Sequence, residues 1–385
     1  MKVAIVGGGP GGLYLGLLLR TKMPDCVVDI FEQNPESATY GFGVGLQGSS
    51  WEFLRKDNPE CVEDILKAST LWHGQTIRRN GESIHIDGKD ADAGIQRLSL
   101  LQVLRKHAEA AGATVRNDMR IEDARQFDDY DLVVGADGVN SVVRDSFDTE
   151  FGTTRRTLTS LLAWYGLDKR LEPSQLSFKE TPYGWFWCVI YPHSDKSSTF
   201  VAECSHSTGQ AAGITDMTSE EQVAMTARIF AEELQGANIL SNKSSWGPLP
   251  VIRVRNWSVG KYTLLGDALH SPHPSIGSGT RLSMSDASAL ADAIVANPGD
   301  VPAALAEYRR VREPSKMKLV EPMEASMEWY ETIGDRVGGM TVEELVFDYL
   351  GRTGRMSMDR LRTLAPEFFE RYHDSELATS HLATG

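Results

Sequence analysis

Apolar and polar positions change period several times along this chain, and each change marks an element. Residues 2–6, KVAIV, form a short β-branched run that stops at a glycine cluster. The following LYLGLLLRTK has the apolar spacing of a helix laid on a sheet, and VVDIFE, Val27 to Glu32, reads as a second buried strand. Together they predict a β-α-β unit of about thirty residues. Ser99 and Gln102 have capping-box spacing ahead of LLQVLRKHAEAA, and Gly112 ends that helix before a strand at ATVRN. DLVVGADG is another buried strand running into a turn.

From about Thr157 to Cys204 the pattern becomes alternating and aromatic, as in SLLAWYGL, WFWCVIYP and SSTFVAEC, which predicts an antiparallel sheet. Thr218 and Glu221 predict a capping box for EEQVAMTARIFAEEL, closed by Gly236, and YTLLGDA returns to buried-strand character. Past Ser283 the period is helical, with Pro314 and Pro322 expected to bend or break the run and Thr341–Glu344 capping a later helix. The fold class is α/β: a discontinuous domain over 1–70, 96–155 and 256–300, an inserted, mainly antiparallel β-sheet domain over 71–95 and 156–255, and a helical C-terminal region over 301–385.

A length of 385 residues suits such a two-domain body. The formal charge of −14 repels polyanions, and no Lys/Arg stripe compensates locally, so nucleic acid is a poor partner. Cys26, Cys61, Cys188 and Cys204 lack CxxC spacing and read as buried thiols, giving neither a metal site nor a redox pair. Glycines interrupt the apolar N-terminus, so no membrane span is expected there, and a cytoplasmic protein is. The helical C-terminal region offers surfaces for a homo-oligomer.

The candidate chemistry begins at Gly7-x-Gly9-x-x-Gly12, placed between strand and helix. Gly7 permits the tight turn, Gly9 lets backbone approach a pyrophosphate, and Gly12 lets helix and strand pack closely. Pro10 and Gly11 complete the loop, and Glu32 ends the second strand where a carboxylate can accept from an adenosine ribose, with Gln33 beside it. A glycine-rich turn without ligand is the alternative, and this fingerprint does not separate FAD from NAD.

Three separated motifs, GGGPGG at Gly7–Gly12, GADGVNSVVR at Gly135–Arg144 and LLGDALHSPHPSIGSG at Leu264–Gly279, resemble those of the FAD-dependent aromatic hydroxylases with the para-hydroxybenzoate hydroxylase-type fold. The resemblance implies a Rossmann-like FAD-binding domain, an inserted substrate domain and transient binding of NAD(P)H. It implies that Asp137, Gly138 and Arg144 lie by the FAD, although Asp137 also suits a turn cap. Gly266 and Asp267 are implied at the ribityl chain, and Pro274 beside the flavin ring. Gly277, Gly279 and Thr280 open a helix facing its pyrimidine edge. Arg97 matches an arginine near the pyrophosphate or ribityl chain, and Gly43 and Val44 belong to the segment passing the ring. Arg281 departs from the asparagine common in the family. SIGSGTRLSMSDA and His273 are similar to the branch with salicylyl-CoA, 2-aminobenzoyl-CoA and violacein-pathway hydroxylases.

By that resemblance NAD(P)H reduces FAD, O₂ adds to give a flavin hydroperoxide, and oxygen passes to an electron-rich aromatic or heteroaromatic small molecule. His273 is the candidate for handling a substrate proton, while His270 reads as structural. Tyr165 and Trp187 are candidate walls of an aromatic pocket, with ordinary core packing as the alternative. Two other functions stay open: a flavin-dependent halogenase, from the WxW at Trp185–Trp187, and a flavin-binding redox sensor or carrier.

Overall fold

A computed structural model describes residues 1–38, 41–46, 51–271, 273–274, 277 and 279–382. Strand β1 (Lys2–Val6), helix α1 (Pro10–Lys22) and strand β2 (Val27–Phe31) form the β-α-β unit. Next come β3 (Gly43–Leu46), β4 (Thr70–Trp72), β5 (Gln75–Arg79), β6 (Glu82–Ile86), β7 (Asp92–Gln96), α2 (Arg97–Ala110), β8 (Thr114–Arg116) and β9 (Leu132–Gly135). Then follow β10 (Thr153–Leu167), β11 (Ser174–Thr181), β12 (Gly184–Pro192), β13 (Ser198–Cys204), α3 (Ser219–Ile229), β14 (Ile239–Leu240) and β15 (Gly247–Val254). The last strands are β16 (Ser258–Val259) and β17 (Tyr262–Leu264); α4 (Gly279–Ala296) and α5 (Val301–Arg336) lead into shorter helices.

The first sheet has the order β16-β17-β9-β1-β2-β8 and is parallel except for the β16 edge. Its central strands are buried on both faces, so they read as near-continuous apolar runs rather than alternating ones. The second sheet, β14-β10-β13-β12-β11-β5-β6 with β15 also on β10, is antiparallel apart from the β11/β5 pair. Of residues 71–95, β5 and β6 join this sheet, whereas β7 pairs with both β3 and β4 in a small third sheet. That third sheet lies between the cofactor-side strands and the second sheet: a Cβ on Gly94 would stand 2.1 Å from the Pro192 carbonyl of β12.

One face of the second sheet carries Tyr165, Phe186, Cys188, Ile190 and Phe200 under α3 and its neighbours. The other carries Phe178, Trp185 and Trp187 against the C-terminal half of α5 and the helices after it. The capping boxes at Thr218–Glu221 and Thr341–Glu344 are both formed. The one expected at Ser99–Gln102 is not: α2 starts three residues earlier, with Gln96 as its N-cap, because β7 runs straight into it and Arg97 N donates to Phe42 O at 2.8 Å. Pro314 and Pro322 lie inside α5 without interrupting the helix. Each lacks only one backbone donor, and the long apolar face packed on both domains holds the helix together. All four cysteines are buried and free.

Candidate active site

The glycine loop divides its work as steric reasoning requires. At φ +109°, Gly7 takes a backbone conformation open to glycine, and a Cβ there would sit 2.3 Å from Ala136 O. On Gly12 a Cβ would stand 2.1 Å from Gly7 O. Gly9, the N-cap of α1, has nothing nearer than Ala136 O at 4.0 Å, so its surface is open to a ligand. Pro10 starts the helix with a preset φ and no N–H to satisfy, and Gly11 lies against Leu265.

Beside this loop opens a cleft lined by Gly8, Gly9, Glu32, Asn34, Arg97 and Gln102, among others. Glu32 Oε2 accepts from Gly8 N at 2.8 Å, while Oε1 accepts from Asn34 N at 2.8 Å and Asn34 Nδ2 at 2.7 Å. Gln33, expected at the cofactor, is exposed and does not line the cleft; past the strand end, residues 32 and 34 share a side and 33 faces away. Burial lowers the Arg97 pKa, and the charges of Asp267 and Glu32 act against that shift.

The second and third motifs are tied together from below. Asp137 Oδ2 accepts from Val142 N at 2.7 Å and Val143 N at 3.3 Å, so this carboxylate caps its own turn; burial raises its pKa. Gly138, at φ +77°, has open space around it. Arg144 is 1% exposed and donates to Val139 O at 2.7 Å and Ala268 O at 3.3 Å, with Asp145 at 3.0 Å. Its guanidinium therefore braces one motif against the other, with its charge turned to protein partners. Asp286, which the motif reading passed over, accepts from Gly266 N at 3.0 Å, His270 Nε2 at 3.0 Å and Arg312 Nε at 2.6 Å. Burial raises its pKa, but His270, Arg312 and the Gly266 N–H outweigh that and hold it low. Asp267 is pushed up by burial, opposed by His270 and Arg97 and reinforced by Asp286.

Pro274 O accepts from Gly277 N at 2.9 Å, and Gly277, at φ +60°, has no atom within 4 Å of a built Cβ. Gly279 and Thr280 begin α4. Pro272, Ser275, Ile276 and Ser278 of the same motif lie outside the described residues. Arg281, in the first turn of α4, has its pKa lowered by burial and by Arg312 and Arg355.

Strand alternation decides which aromatics reach the site. Tyr165 pairs with Phe200 on the face packed under α3, so it faces away from the side that β3 approaches. The opposite face carries Trp187, Tyr191, Thr199 and Glu203, and there β3 approaches. Tyr191 Oη donates to Gly43 O at 3.0 Å, and a Cβ on Gly43 would meet His193 Cβ at 2.4 Å. Val44 is buried beside it. Trp187 reaches this face, but its indole is 1% exposed and donates to Glu203 Oε2 at 2.9 Å. Glu203, 3% exposed, also accepts from Ser160 Oγ at 3.1 Å, with His273 Nε2 at 3.4 Å. The His273 ring stacks on Tyr330, with centroids 5.2 Å apart. Sequence reading missed Glu203, Ser160 and Tyr330; only the in-phase position of Glu203 with Thr199 on its strand signalled the shared face.

Among the described residues no helix is long and apolar enough to cross a membrane, and no group of three or more acidic, His or Cys side chains suits a metal ion. The family described as FAD binding domain matches residues 1–322. The chain is 32% identical over 362 residues to salicyloyl-CoA 5-hydroxylase from Streptomyces sp, covering 92% of this chain and 70% of that protein. It is 33% identical over 363 residues to 3-hydroxy-4-methyl-anthranilyl-[aryl-carrier protein] 5-monooxygenase from Streptosporangium sibiricum, covering 94% and 97%. A crystal structure of 2-methyl-3-hydroxypyridine-5-carboxylic acid oxygenase superposes with a TM-score of 0.69 at 18% identity, over 85% of this chain and 90% of that one. NAD(P)H is the electron donor typical of such enzymes. With an open glycine loop, a carboxylate at the end of β2 and these relatives, the chain belongs to the FAD-dependent aromatic hydroxylases of the FAD binding domain family.

Proposed function

We propose that this FAD-dependent monooxygenase hydroxylates an arene carrying a ring hydroxyl or amine, held between β3 and the Trp187–Glu203 face, with His273 handling the ring's acidic proton. The observation that carries this reading is the buried His273–Glu203 contact on the sheet face that β3 approaches. Bound FAD supplies electron transfer from NAD(P)H and activation of O₂. The chain supplies position and dryness. Gly9 and the N-terminus of α1 would face the pyrophosphate, Glu32 the adenosine ribose, and Arg97 and Asp267 the phosphate and ribityl stretch. Gly43, Pro274, Gly277 and the first turn of α4 would border the flavin ring, where helix N–H groups favour negative charge on its pyrimidine edge.

Two relatives are named for a coenzyme A thioester and a carrier-protein substrate, so the carboxyl of the arene is proposed to arrive as a thioester. Arg281, near two further arginines, suits an anionic part of such a substrate. The test is a screen of hydroxy- and aminobenzoates, free and as thioesters, for substrate-stimulated NAD(P)H oxidation, with mass spectrometry of the product. A gain of one oxygen supports the reading. A halide-dependent product would return the halogenase reading, and flavin binding without turnover on any arene would return the sensor or carrier.

A further inference from the structure

We infer that Lys318, Arg355 and Arg360, with Arg281 at the inner edge, form a surface site that holds the phosphates of a coenzyme A thioester while its arene lies in the chamber. This site rests on the thioester reading of the substrate above.

The chain carries a formal charge of −14, yet these four cations take part in no ion pair among the described residues. Arg281 lies in the first turn of α4, Lys318 in the middle of α5, and Arg355 and Arg360 in the segment after Gly351. Lys318, Arg355 and Arg360 are exposed. Backbone carbonyls tie the last two in place: Arg355 Nη2 donates to Lys318 O, and Arg360 Nη1 to Arg355 O at 3.4 Å. Such bonds fix a guanidinium without neutralising it.

Neighbouring cations are treated differently. Arg312, buried below the patch, has Asp286 at 2.6 Å and reaches Leu282 O at 3.5 Å in the first turn of α4. Arg362 has Asp359 at 3.2 Å. Arg281, next to Leu282, has no such carboxylate, and its charged form is opposed by burial and by the charges of Arg312 and Arg355. Like charges held together without an acid are relieved by a multiply charged anion, and guanidinium groups match phosphate oxygens in pairs.

The patch also lies at a suitable reach. Tyr330 of α5 stacks on His273, and one turn earlier Ser326 Oγ accepts from Arg352 Nε at 3.3 Å, so the segment after Gly351 starts beside the chamber. Lys318 lies twelve residues before Tyr330 on the same helix, roughly 18 Å along its axis. An extended pantetheine arm spans a comparable length. An arene held at His273 would therefore bring its phosphates to Lys318 and Arg355.

The test is calorimetric titration of FAD-loaded enzyme with benzoyl-CoA and with benzoyl-pantetheine, which has the same thioester and no phosphate. The wild type should bind benzoyl-CoA about 10-fold or more tightly than benzoyl-pantetheine, and added salt should narrow the gap. Lys318→Glu and Arg355→Glu should each weaken benzoyl-CoA by about 10-fold. Affinity for benzoyl-pantetheine and flavin content should stay at the wild-type level. If Arg355→Glu does not fold, because its guanidinium also ties the loop to α5, Lys318→Glu carries the test through its side chain alone. Equal affinity of the wild type for both probes, or unchanged benzoyl-CoA affinity in the variants, overturns the site. A benzoyl-loaded carrier protein that loses affinity in the variants while benzoyl-CoA does not overturns the assignment to coenzyme A. The hydroxylase reading is judged separately by the substrate screen: a hydroxylated free arene upholds it even where the phosphate site fails.

Discussion

Tyr191 Oη donates to the Gly43 carbonyl at 3.0 Å, fastening the second sheet to the strand beside the cofactor cleft. Burial pushes the Tyr191 phenol up to about 12, so it remains a donor throughout the neutral range. Removing it in Tyr191→Phe should destabilise the protein by about 1 kcal/mol and leave a buried carbonyl without this donor. If β3 borders the flavin as proposed, the purified variant should also hold less FAD. Thermal melting and the flavin-to-protein absorbance ratio check both, and a variant with unaltered flavin content would detach β3 from the cofactor.

The glycines of the first motif separate binding from folding. Gly9→Ala adds a Cβ whose nearest protein atom, Ala136 O, stands 4.0 Å away, so the apoprotein should melt near the wild type while FAD retention falls. Gly12→Ala drives a Cβ to 2.1 Å from Gly7 O, and apoprotein stability should fall by about 1–3 kcal/mol. Melting of both apoproteins beside FAD titration makes the comparison. Equal FAD affinity of Gly9→Ala and wild type would contradict the placement of the pyrophosphate.

Asp267 links stability to cofactor binding. Burial raises its pKa above the unfolded carboxylate value, so ionising it in the folded apoprotein is unfavourable. That penalty is absent below the unfolded value near ~4 and grows as pH rises toward the folded one. Asp267→Asn should therefore raise the apoprotein melting temperature at pH 7 and change it little near pH 4. FAD affinity should weaken by about 10- to 100-fold, the loss expected for one charge-assisted hydrogen bond. Melting curves at the two pH values with FAD titration test the pair of effects, and unchanged affinity would remove Asp267 from the ribityl chain.

The two aromatic candidates should behave differently. Tyr165→Phe alters only the face under α3, and kcat/KM should match the wild type. Trp187→Phe removes a donor from the buried Glu203 carboxylate and should destabilise the protein by about 1–3 kcal/mol and lower kcat. Steady-state kinetics with melting decide; impaired turnover in Tyr165→Phe at normal stability would place Tyr165 at the substrate after all.

Much of this site was legible because its cofactor half is local. Gly7, Gly9 and Gly12 lie in one turn between a strand and a helix, and Glu32 at the end of the next strand, so spacing alone announced them. Capping boxes were legible at Thr218 and Thr341 for the same reason, since every partner lies within four residues. Ser99 had the same signature and failed because a long-range bond, Arg97 N to Phe42 O, moved the helix start. Asp137 and Arg144 were found by motif, yet their groups serve the loops themselves.

What the order of residues determined by itself was the β-α-β unit, the three flavin motifs and the alternation of the second sheet, because each depends on steric demands within one short segment. Tertiary structure alone decided which face of that sheet meets β3. It also set Glu203, Ser160, His273 and Tyr330 together from four separate stretches of chain. Period-two alternation says that neighbours in sequence face opposite ways, but not which way is in; that choice is made where α3 covers one side and β3 the other. The glycine loop could be read from the chain before any fold was drawn, whereas the Glu203–His273 contact exists only because α5 and the register shift in β10 between Thr157 and Leu161 bring its parts to one place.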